Sequence, residues 1–225
     1  AVVRILEIIN QIGKNIKFFQ PLSSNMFGKA EETPQNEDTA LRPQSPYAAA
    51  KILAYVMCKY YREVHGLHAS TAIFYNHESV RRTTEYVTRK ITKAAARIKM
   101  GLQKEEKFGN LDTKLDFGYA PDYVEAAWNI LQLDYPDDFI ICTGEVHSIQ
   151  EFLDEAFSIV GLDPKDHIIF NKNFTRPGST STLVGTTDKA KKAFGFEPKT
   201  RFKDIVKIMV EHDLEEAKKE LILMS

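Results

Sequence analysis

Cysteine, glycine-rich motifs and long apolar runs are all scarce in this sequence of 225 residues. Its two cysteines, Cys58 and Cys142, are too few for a disulfide framework or a CxxC metal site, so we expect reduced thiols, no bound metal and a cytoplasmic protein. No apolar run reaches the ~20 residues that cross a bilayer, which predicts no membrane partner. With 30 basic and 31 acidic residues the net charge is −1, so no global field favours nucleic acid.

Apolar runs typical of buried strands alternate along the chain with segments of helical periodicity. Helices are predicted at 1–13, 45–65, 86–100, 121–133, 148–160, 187–194 and 202–221. Strands are predicted at 15–24, 68–76, 139–144 and 167–171. This alternation indicates an α/β protein with a parallel sheet that is covered by helices on both faces.

Within this α/β pattern we expect two parts. Residues 1–80 are expected to carry a partial parallel sheet, and if the fold is of the Rossmann dinucleotide-binding type they form the C-terminal half of that domain. Residues 81–225 are predicted to form a smaller mixed α/β substrate lobe, whose strand at 139–144 returns to the main sheet. The 11 glycines form neither GxGxxG nor GxxGxxG, the phosphate-binding turns with which such a domain begins. Because the first residue is Ala within a predicted helix, we expect a piece of a longer polypeptide.

Tyr47 and Lys51 are the strongest candidates for chemistry. Their spacing in the helix predicted from about Ser45 places both side chains on one face, one turn apart. A free phenol has a pKa near ~10, and a neighbouring ammonium together with an oxidised nicotinamide favours the phenolate. The phenolate can accept a proton from a substrate hydroxyl, while a serine at the end of the preceding strand, Ser23 or Ser24, can hydrogen-bond the same hydroxyl and orient it. A YxxxK pair alone also arises by chance in helices and is weak evidence by itself. The Ser-Ser at the strand end and the Ser-Pro before Tyr47 strengthen the prediction.

Several longer segments carry a resemblance to a known family. They are LSSNMFG (22–28), SPYAAAK (45–51), FYNHES (74–79) with Arg81 and Arg82, FGNLD (108–112), PDYVEAAW (121–128) and TRP (175–177). In this order they resemble the extended short-chain dehydrogenases/reductases, and within these the GDP-mannose 4,6-dehydratase family. The resemblance covers nearly the whole chain, as the C-terminal two-thirds of the family.

The resemblance implies a lyase that uses NADP, with NAD possible, on a GDP-sugar, and that forms a homo-oligomer, either a dimer or a tetramer. The implied reaction on GDP-mannose oxidises C4 of the hexose, eliminates water across C5–C6 and returns hydride to C6, giving GDP-4-keto-6-deoxymannose. Oxidation comes first because a ketone at C4 acidifies the proton on C5.

The resemblance also implies roles for individual residues. The implied catalytic residues are Ser23, Asn25, Tyr47 and Lys51. The implied cofactor-binding residues are Tyr47, Lys51, His77 and Arg82. The implied substrate-binding residues are Ser24, Asn76, Lys90 and Arg176.

Asn25 is the main departure from the family pattern, because the family has there the glutamate that removes the C5 proton. An amide cannot abstract a proton at neutral pH. The residues therefore support C4 oxidation but not elimination, and a second hypothesis is a GDP-sugar C4 oxidoreductase or epimerase that does not dehydrate. Leu115 and Ser179 also replace an arginine and a glutamate of the family, which concerns the binding of phosphate or ribose.

Two further interpretations belong to other classes of protein. Because the glycine-rich turn is missing from the sequence, the chain could serve as a non-catalytic nucleotide-sugar-binding or scaffold protein. The basic stretch at 81–99 resembles a nucleic-acid surface, but the neutral overall charge and the lack of a nucleic-acid-binding motif favour a diphosphate pocket or a solvated helix face.

Overall fold

The structure, a computed structural model, describes residues 1–13, 15–171 and 182–224. Its helices are α1 (Val2–Ile12), α2 (Pro46–His65), α3 (Val87–Lys99), α4 (Ala120–Gln132), α5 (Ile149–Val160), α6 (Asp188–Phe194) and α7 (Phe202–Met224). Its strands are β1 (Phe18–Ser23), β2 (Ala69–Phe74), β3 (Asn76–Glu78), β4 (Glu106–Phe108), β5 (Lys114–Tyr119), β6 (Asp138–Ile141), β7 (Val146–Ser148) and β8 (Ile168–Phe170).

The main sheet consists of parallel strands in the order β1-β2-β6. Ser23 at the end of β1 lies opposite Phe74 at the end of β2, and Ile73 lies opposite Ile140 of β6. Every residue of β2 is buried, as expected for a central strand with both faces covered. Helices α1 and α2 pack on one face, and α4 and α6 pack on the other. The predicted α/β class with a covered parallel sheet is confirmed.

A second apolar core lies between α3, α5 and α7 and a small mixed sheet. In that sheet β5 pairs in parallel with β3 and antiparallel with β7. A separate parallel pair joins β4 to β8. Strand β6 therefore pairs with β2 only after the chain has passed through α3, β4, β5 and α4.

The predicted helices are all present, and six of them begin and end within one residue of the predicted bounds, while α7 continues to Met224. The predicted strands are present but shorter, since β1 starts only at Phe18 and β6 ends at Ile141. The sequence prediction missed β4, β5 and β7, and did not separate β3 from β2. Strands β3, β4 and β7 have only three residues each, and the six residues of β5 contain no apolar run. Their pairing depends on partners that are remote in sequence.

Helix α2 begins and ends where local chemistry requires. The hydroxyl of Ser45 accepts the N–H of Ala48 at 3.1 Å, and Pro46 occupies the first helical position, as predicted. Gly66 ends the helix in the left-handed conformation with φ of 67°. The capped first turn is the one that carries Tyr47.

The far end of α2 is tied to the main sheet by an ion pair that is mostly buried. Both guanidinium Nη atoms of Arg62 bond the carboxylate of Asp138 in β6, at 3.0 and 2.5 Å. The hydroxyl of Thr71 in β2 donates to the same carboxylate at 2.7 Å. This bidentate pair fixes the direction of α2 across the sheet. Within the ranges described, no helix is long and apolar enough to cross a membrane.

Candidate active site

The candidate site lies at the carboxyl ends of β1 and β2. Ser23 ends β1 opposite Phe74, and Asn76 and His77 follow two and three residues later. Carboxyl ends of neighbouring parallel strands meet at one edge of a sheet, which is where open α/β sheets bind ligands. The register therefore brings Ser23, Asn76 and His77 to the same edge.

A single 3-10 turn, Ser24–Met26, follows β1 directly. The hydroxyl oxygen of Ser23 accepts the backbone N–H of Asn25 at 3.3 Å, which leaves the hydroxyl proton free to be donated to a ligand. Asn25 is exposed, whereas Ser24 is buried. The two serines thus differ in access, and Ser23 has the donor that a sugar hydroxyl needs.

Tyr47 and Lys51 lie on one face of α2, as predicted. The ammonium nitrogen of Lys51 is 5.7 Å from the centroid of the Tyr47 ring. The same nitrogen donates to the carbonyl of Pro21 at 2.9 Å, two residues before Ser23 in β1. Burial lowers the pKa of the Lys51 ammonium. Tyr47 is 53% exposed, so its phenol is open to a ligand while Lys51 is anchored to the strand that ends in Ser23.

His77 packs against two aromatic rings beside this edge. Its ring lies 5.5 Å from that of Phe74 and 5.2 Å from that of Tyr123. Its Nδ1 is 2.9 Å from the carbonyl of Tyr75, which can only accept, so Nδ1 carries the proton and Nε2 is left as an acceptor. Burial lowers the pKa of His77 and favours this neutral form.

Arg82 packs against the same segment. Its Nε lies 3.1 Å from a carboxylate oxygen of Glu78, and its Nη1 donates to the carbonyl of His77 at 3.3 Å. Its guanidinium also stacks at 3.8 Å over the ring of Tyr86. His77 and Arg82, both implied in cofactor binding, are thus brought together by direct contact.

Lys90 lies in α3, in the second core region. Its ammonium is 3.2 Å from the Glu106 carboxylate and 4.7 Å from the centroid of the Phe108 ring, and it donates to the carbonyl of Lys107. It lines a cleft of about 360 Å³ with Lys93, Arg97 and neighbouring side chains. Arg176 and Ser179 lie outside the described residues.

Asp116 is a positioning group whose importance the sequence did not reveal. This carboxylate is 1% exposed and accepts the Thr143 N–H at 3.0 Å, the Thr143 hydroxyl at 2.8 Å and the Gly144 N–H at 2.8 Å. It therefore links β5 to the turn that follows β6. Burial raises its pKa to about 6. The sequence offered one indication of this role, namely a single carboxylate between the apolar residues Leu115 and Phe117.

The fold and the site together define a class. A parallel Rossmann-type sheet whose carboxyl edge groups a serine with a helix-borne tyrosine and lysine is the arrangement of the short-chain dehydrogenases/reductases. Among the residues described, no cluster of His, Cys, Asp or Glu could hold a metal ion.

A sequence model of the GDP-mannose 4,6 dehydratase family matches residues 1–209, so the chain belongs to that family. The protein "GDP-mannose 4,6 dehydratase 1" of Arabidopsis thaliana is 46% identical over 225 residues, which cover 98% of this chain and 62% of that protein. The chain thus spans about three-fifths of the length of the curated relatives it matches.

Solved structures agree on the fold. RMD from Pseudomonas aeruginosa complexed with NADPH superposes with a TM-score of 0.87 at 20% identity, over 96% of this chain and 72% of that one. The dTDP-glucose 4,6-dehydratase of Bacillus anthracis in complex with NAD gives 0.85 at 19% identity, over 97% and 67%. At such low identity these likenesses show the fold alone.

We expect Asp116→Asn to destabilise the protein, because the amide NH₂ would face donors that now bond a carboxylate. The loss should be about 1–3 kcal/mol. The folded pKa of about 6 lies above the ordinary value of 3.8, so the folded protein holds the proton more tightly. The contribution of Asp116 to wild-type stability should therefore fall as pH rises between these values, and the difference in the free energy of unfolding between wild type and variant should narrow.

Urea unfolding at several pH values measures both effects, with the exposed Asp112→Asn as the control. A variant that keeps the wild-type pH dependence between pH 4 and 6 would contradict this role for Asp116.

Proposed function

We propose that this chain carries the catalytic part of a GDP-mannose 4,6-dehydratase. The observation that supports this most is the position of Lys51, which lies 5.7 Å from the Tyr47 ring and bonds the strand that ends in Ser23. Membership of the family favours dehydration, and the comparisons lend no support to the second hypothesis of an oxidoreductase or epimerase that stops at C4.

In this proposal Tyr47 accepts the proton of the C4 hydroxyl. The Lys51 ammonium places a positive charge 5.7 Å from the centroid of the Tyr47 ring. Ser23 donates its free hydroxyl proton to the substrate oxygen and fixes its direction. A ketone formed at C4 acidifies C5–H. Because the Asn25 amide cannot take this proton, it passes to a solvent water molecule, and the C6 hydroxyl takes up a proton from water as it leaves as water.

We further propose that a nicotinamide dinucleotide binds at this edge, where it supplies the acceptor and later the donor of the hydride. The residues fit its ribose end, because the Lys51 ammonium has only one hydrogen bond among the described residues and keeps two N–H donors for ribose hydroxyls. His77 and Arg82 add an imidazole and a guanidinium at the same edge. On the basis of the family resemblance we propose that this dinucleotide is NADP. The alternative is NAD, and a measurement of the affinity for each dinucleotide distinguishes the two.

We propose that the GDP-sugar is held between this edge and the second core region. Asn76 follows Phe74, the partner of Ser23 in the sheet, by two residues, and Ser24 lines the buried side of the turn. Lys90 supplies a cation suited to a diphosphate, and we assign the same task to Arg176. The identities of the nucleotide and of the sugar in this proposal are taken from the family to which the chain belongs.

The buried state of both cysteines bears on the compartment. Cys58 and Cys142 are buried and free of any disulfide. We therefore propose a reducing compartment such as the cytoplasm, where thiols persist.

A homo-oligomer is proposed from the outer faces of α1 and α2. The hydroxyl of Tyr61 donates to Glu7 at 2.6 Å and holds the two helices side by side. Their outward side chains form an exposed apolar face made of Ile5, Ile8, Ile12, Leu53, Val56, Tyr60 and Val64. A second copy of the chain would cover this face across a two-fold axis.

Tyr47→Phe should lower the turnover of GDP-mannose by about 10²-fold or more, since phenylalanine cannot accept the proton. Mass spectrometry measures the turnover as the loss of one water from the sugar nucleotide. Calorimetry checks that GDP-mannose still binds to the variant. The control is Tyr135→Phe, an exposed phenol after α4. Full turnover by Tyr47→Phe would contradict the proposal, and binding without turnover by the wild type would favour the scaffold interpretation.

Asn25→Glu should raise the rate of water loss by at least about 10-fold, because a carboxylate can take the C5 proton whereas an amide cannot. The rate of C4 oxidation, followed by absorbance of the reduced nicotinamide, should not change. Asn25→Gln keeps an amide and should match the wild type. Equal gains in both variants, or no gain in Asn25→Glu, would show that the proton on C5 leaves by another route.

Val56→Asp should dissociate the proposed oligomer, since it places a charge in the centre of the exposed apolar face. Light scattering after gel filtration measures the mass in solution. Val124→Asp, which changes a still more exposed valine on α4, is the matched control and should keep the wild-type mass. An unchanged mass for Val56→Asp would move the interface elsewhere.

A further inference from the structure

Gln35 stands out in the loop between β1 and α2 because its side chain is completely buried, with 0% exposure. Most glutamines are exposed, and burial of an amide is costly unless its polar atoms are bonded. Here both the amide oxygen and the amide nitrogen have partners, as do the backbone N–H and carbonyl. Such complete pairing indicates a residue that specifies an arrangement of the chain.

The partners of Gln35 come from separate parts of the sequence. Its backbone N–H donates to the carbonyl of Val184 at 2.7 Å, and its carbonyl accepts the N–H of Thr186 at 2.9 Å. Its Oε1 accepts the N–H of Val184 and the hydroxyl of Tyr75, both at 2.9 Å. Its Nε2 donates to the carbonyl of Glu32 at 2.6 Å.

Glycine at 185 allows this close approach. A Cβ on Gly185 would lie 2.8 Å from the Tyr75 ring, closer than a carbon contact permits. The segment Val184–Thr186 therefore lies flat against Tyr75, with Gln35 bonded along it as a short parallel bridge.

A second bond holds the same loop to the main sheet. The carboxylate of Glu37 accepts the N–H of Ile140 in β6 at 2.8 Å. Within the loop, the N–H of Asn36 donates to the hydroxyl of Thr39 at 3.0 Å. The loop is thus fixed to β6, to Tyr75 and to Val184–Thr186, and Gln35 makes the contacts to the last two.

These contacts link the parts that carry the candidate site. The loop starts just after Ser23 and ends just before Tyr47. Tyr75 directly precedes Asn76. In the sequence, Val184 comes eight residues after Arg176.

We propose that Gln35 is a positioning residue that sets where the Tyr47 phenol lies relative to a bound sugar nucleotide. It does so by fixing the loop that ends at Tyr47 against the segment before Asn76 and against Val184–Thr186. A displacement of about 1 Å between a reacting group and its substrate can cost about 10²-fold in rate. The kinetic part of this inference rests on the proposed function, whereas the physical linkage does not.

Gln35→Ala removes the amide bonds to Tyr75, Val184 and Glu32. Hydrogen exchange read by mass spectrometry should become at least about 10-fold faster in residues 28–45 and 182–187, with α5 and α7 unchanged. The control is Gln44→Ala in the same loop, because that exposed amide bonds, within the part of the chain that the structure describes, only the nearby carbonyls of Arg42 and Pro43. Unchanged exchange at 182–187 would overturn the linkage, even if the protein turns over no GDP-mannose.

Tyr75→Phe is the milder variant, since it removes a single hydroxyl that donates to Gln35. In a protein that turns over GDP-mannose, both variants should lower kcat by about 10-fold or more while KM changes little, because a misplaced phenol impairs the reaction and not binding. A merely structural residue would lower the yield of folded protein without this split. Wild-type kcat in both variants, with faster exchange in Gln35→Ala, would overturn the positioning role.

Discussion

A single ammonium on a strand carbonyl holds the candidate site together. The N–H of Phe18 donates to the carbonyl of His68, the residue before β2. Backbone groups of successive strand residues point to opposite sides, so those of Phe19 and Pro21 point away from β2. The carbonyl of Pro21 is one of these, and it accepts Lys51 at 2.9 Å. Proline has no N–H at that position, so only its carbonyl needs a partner. This bond places the first turns of α2 beside the end of β1. Tyr47, one turn before Lys51 in the same helix, is thereby brought to that edge as well.

Several long-range contacts then complete the site from remote parts of the chain. Arg62 and Asp138 set the direction of α2, and Asp116 attaches the small sheet to the turn after β6. Gln35 attaches the loop before Tyr47 to Val184. Each of these contacts joins largely buried polar groups that are hydrogen-bonded to one another. Loss of one partner would therefore leave a buried charge or dipole unpaired, which costs stability.

The sequence predicts the helices well because their signals are local. Ser45 and Pro46 mark the start of α2, Gly66 marks its end, and the apolar period fixes the buried face. Tyr47 and Lys51 could be paired for the same reason, since one helical turn decides their spacing. The short strands β4 and β7 could not be predicted, because three residues carry no periodicity and their partners lie far along the chain.

The roles of Asp116 and Gln35 could not be predicted for a related reason, because each depends on contacts with residues remote in sequence.

The central claim concerns one oxygen atom of the substrate and is tested most directly by a crystal structure with GDP-mannose bound. The account predicts that the hydroxyls of Tyr47 and Ser23 both lie within about 2.6–3.2 Å of the oxygen on C4 of the sugar. A sugar bound elsewhere, or a C4 oxygen that contacts neither hydroxyl, would contradict it.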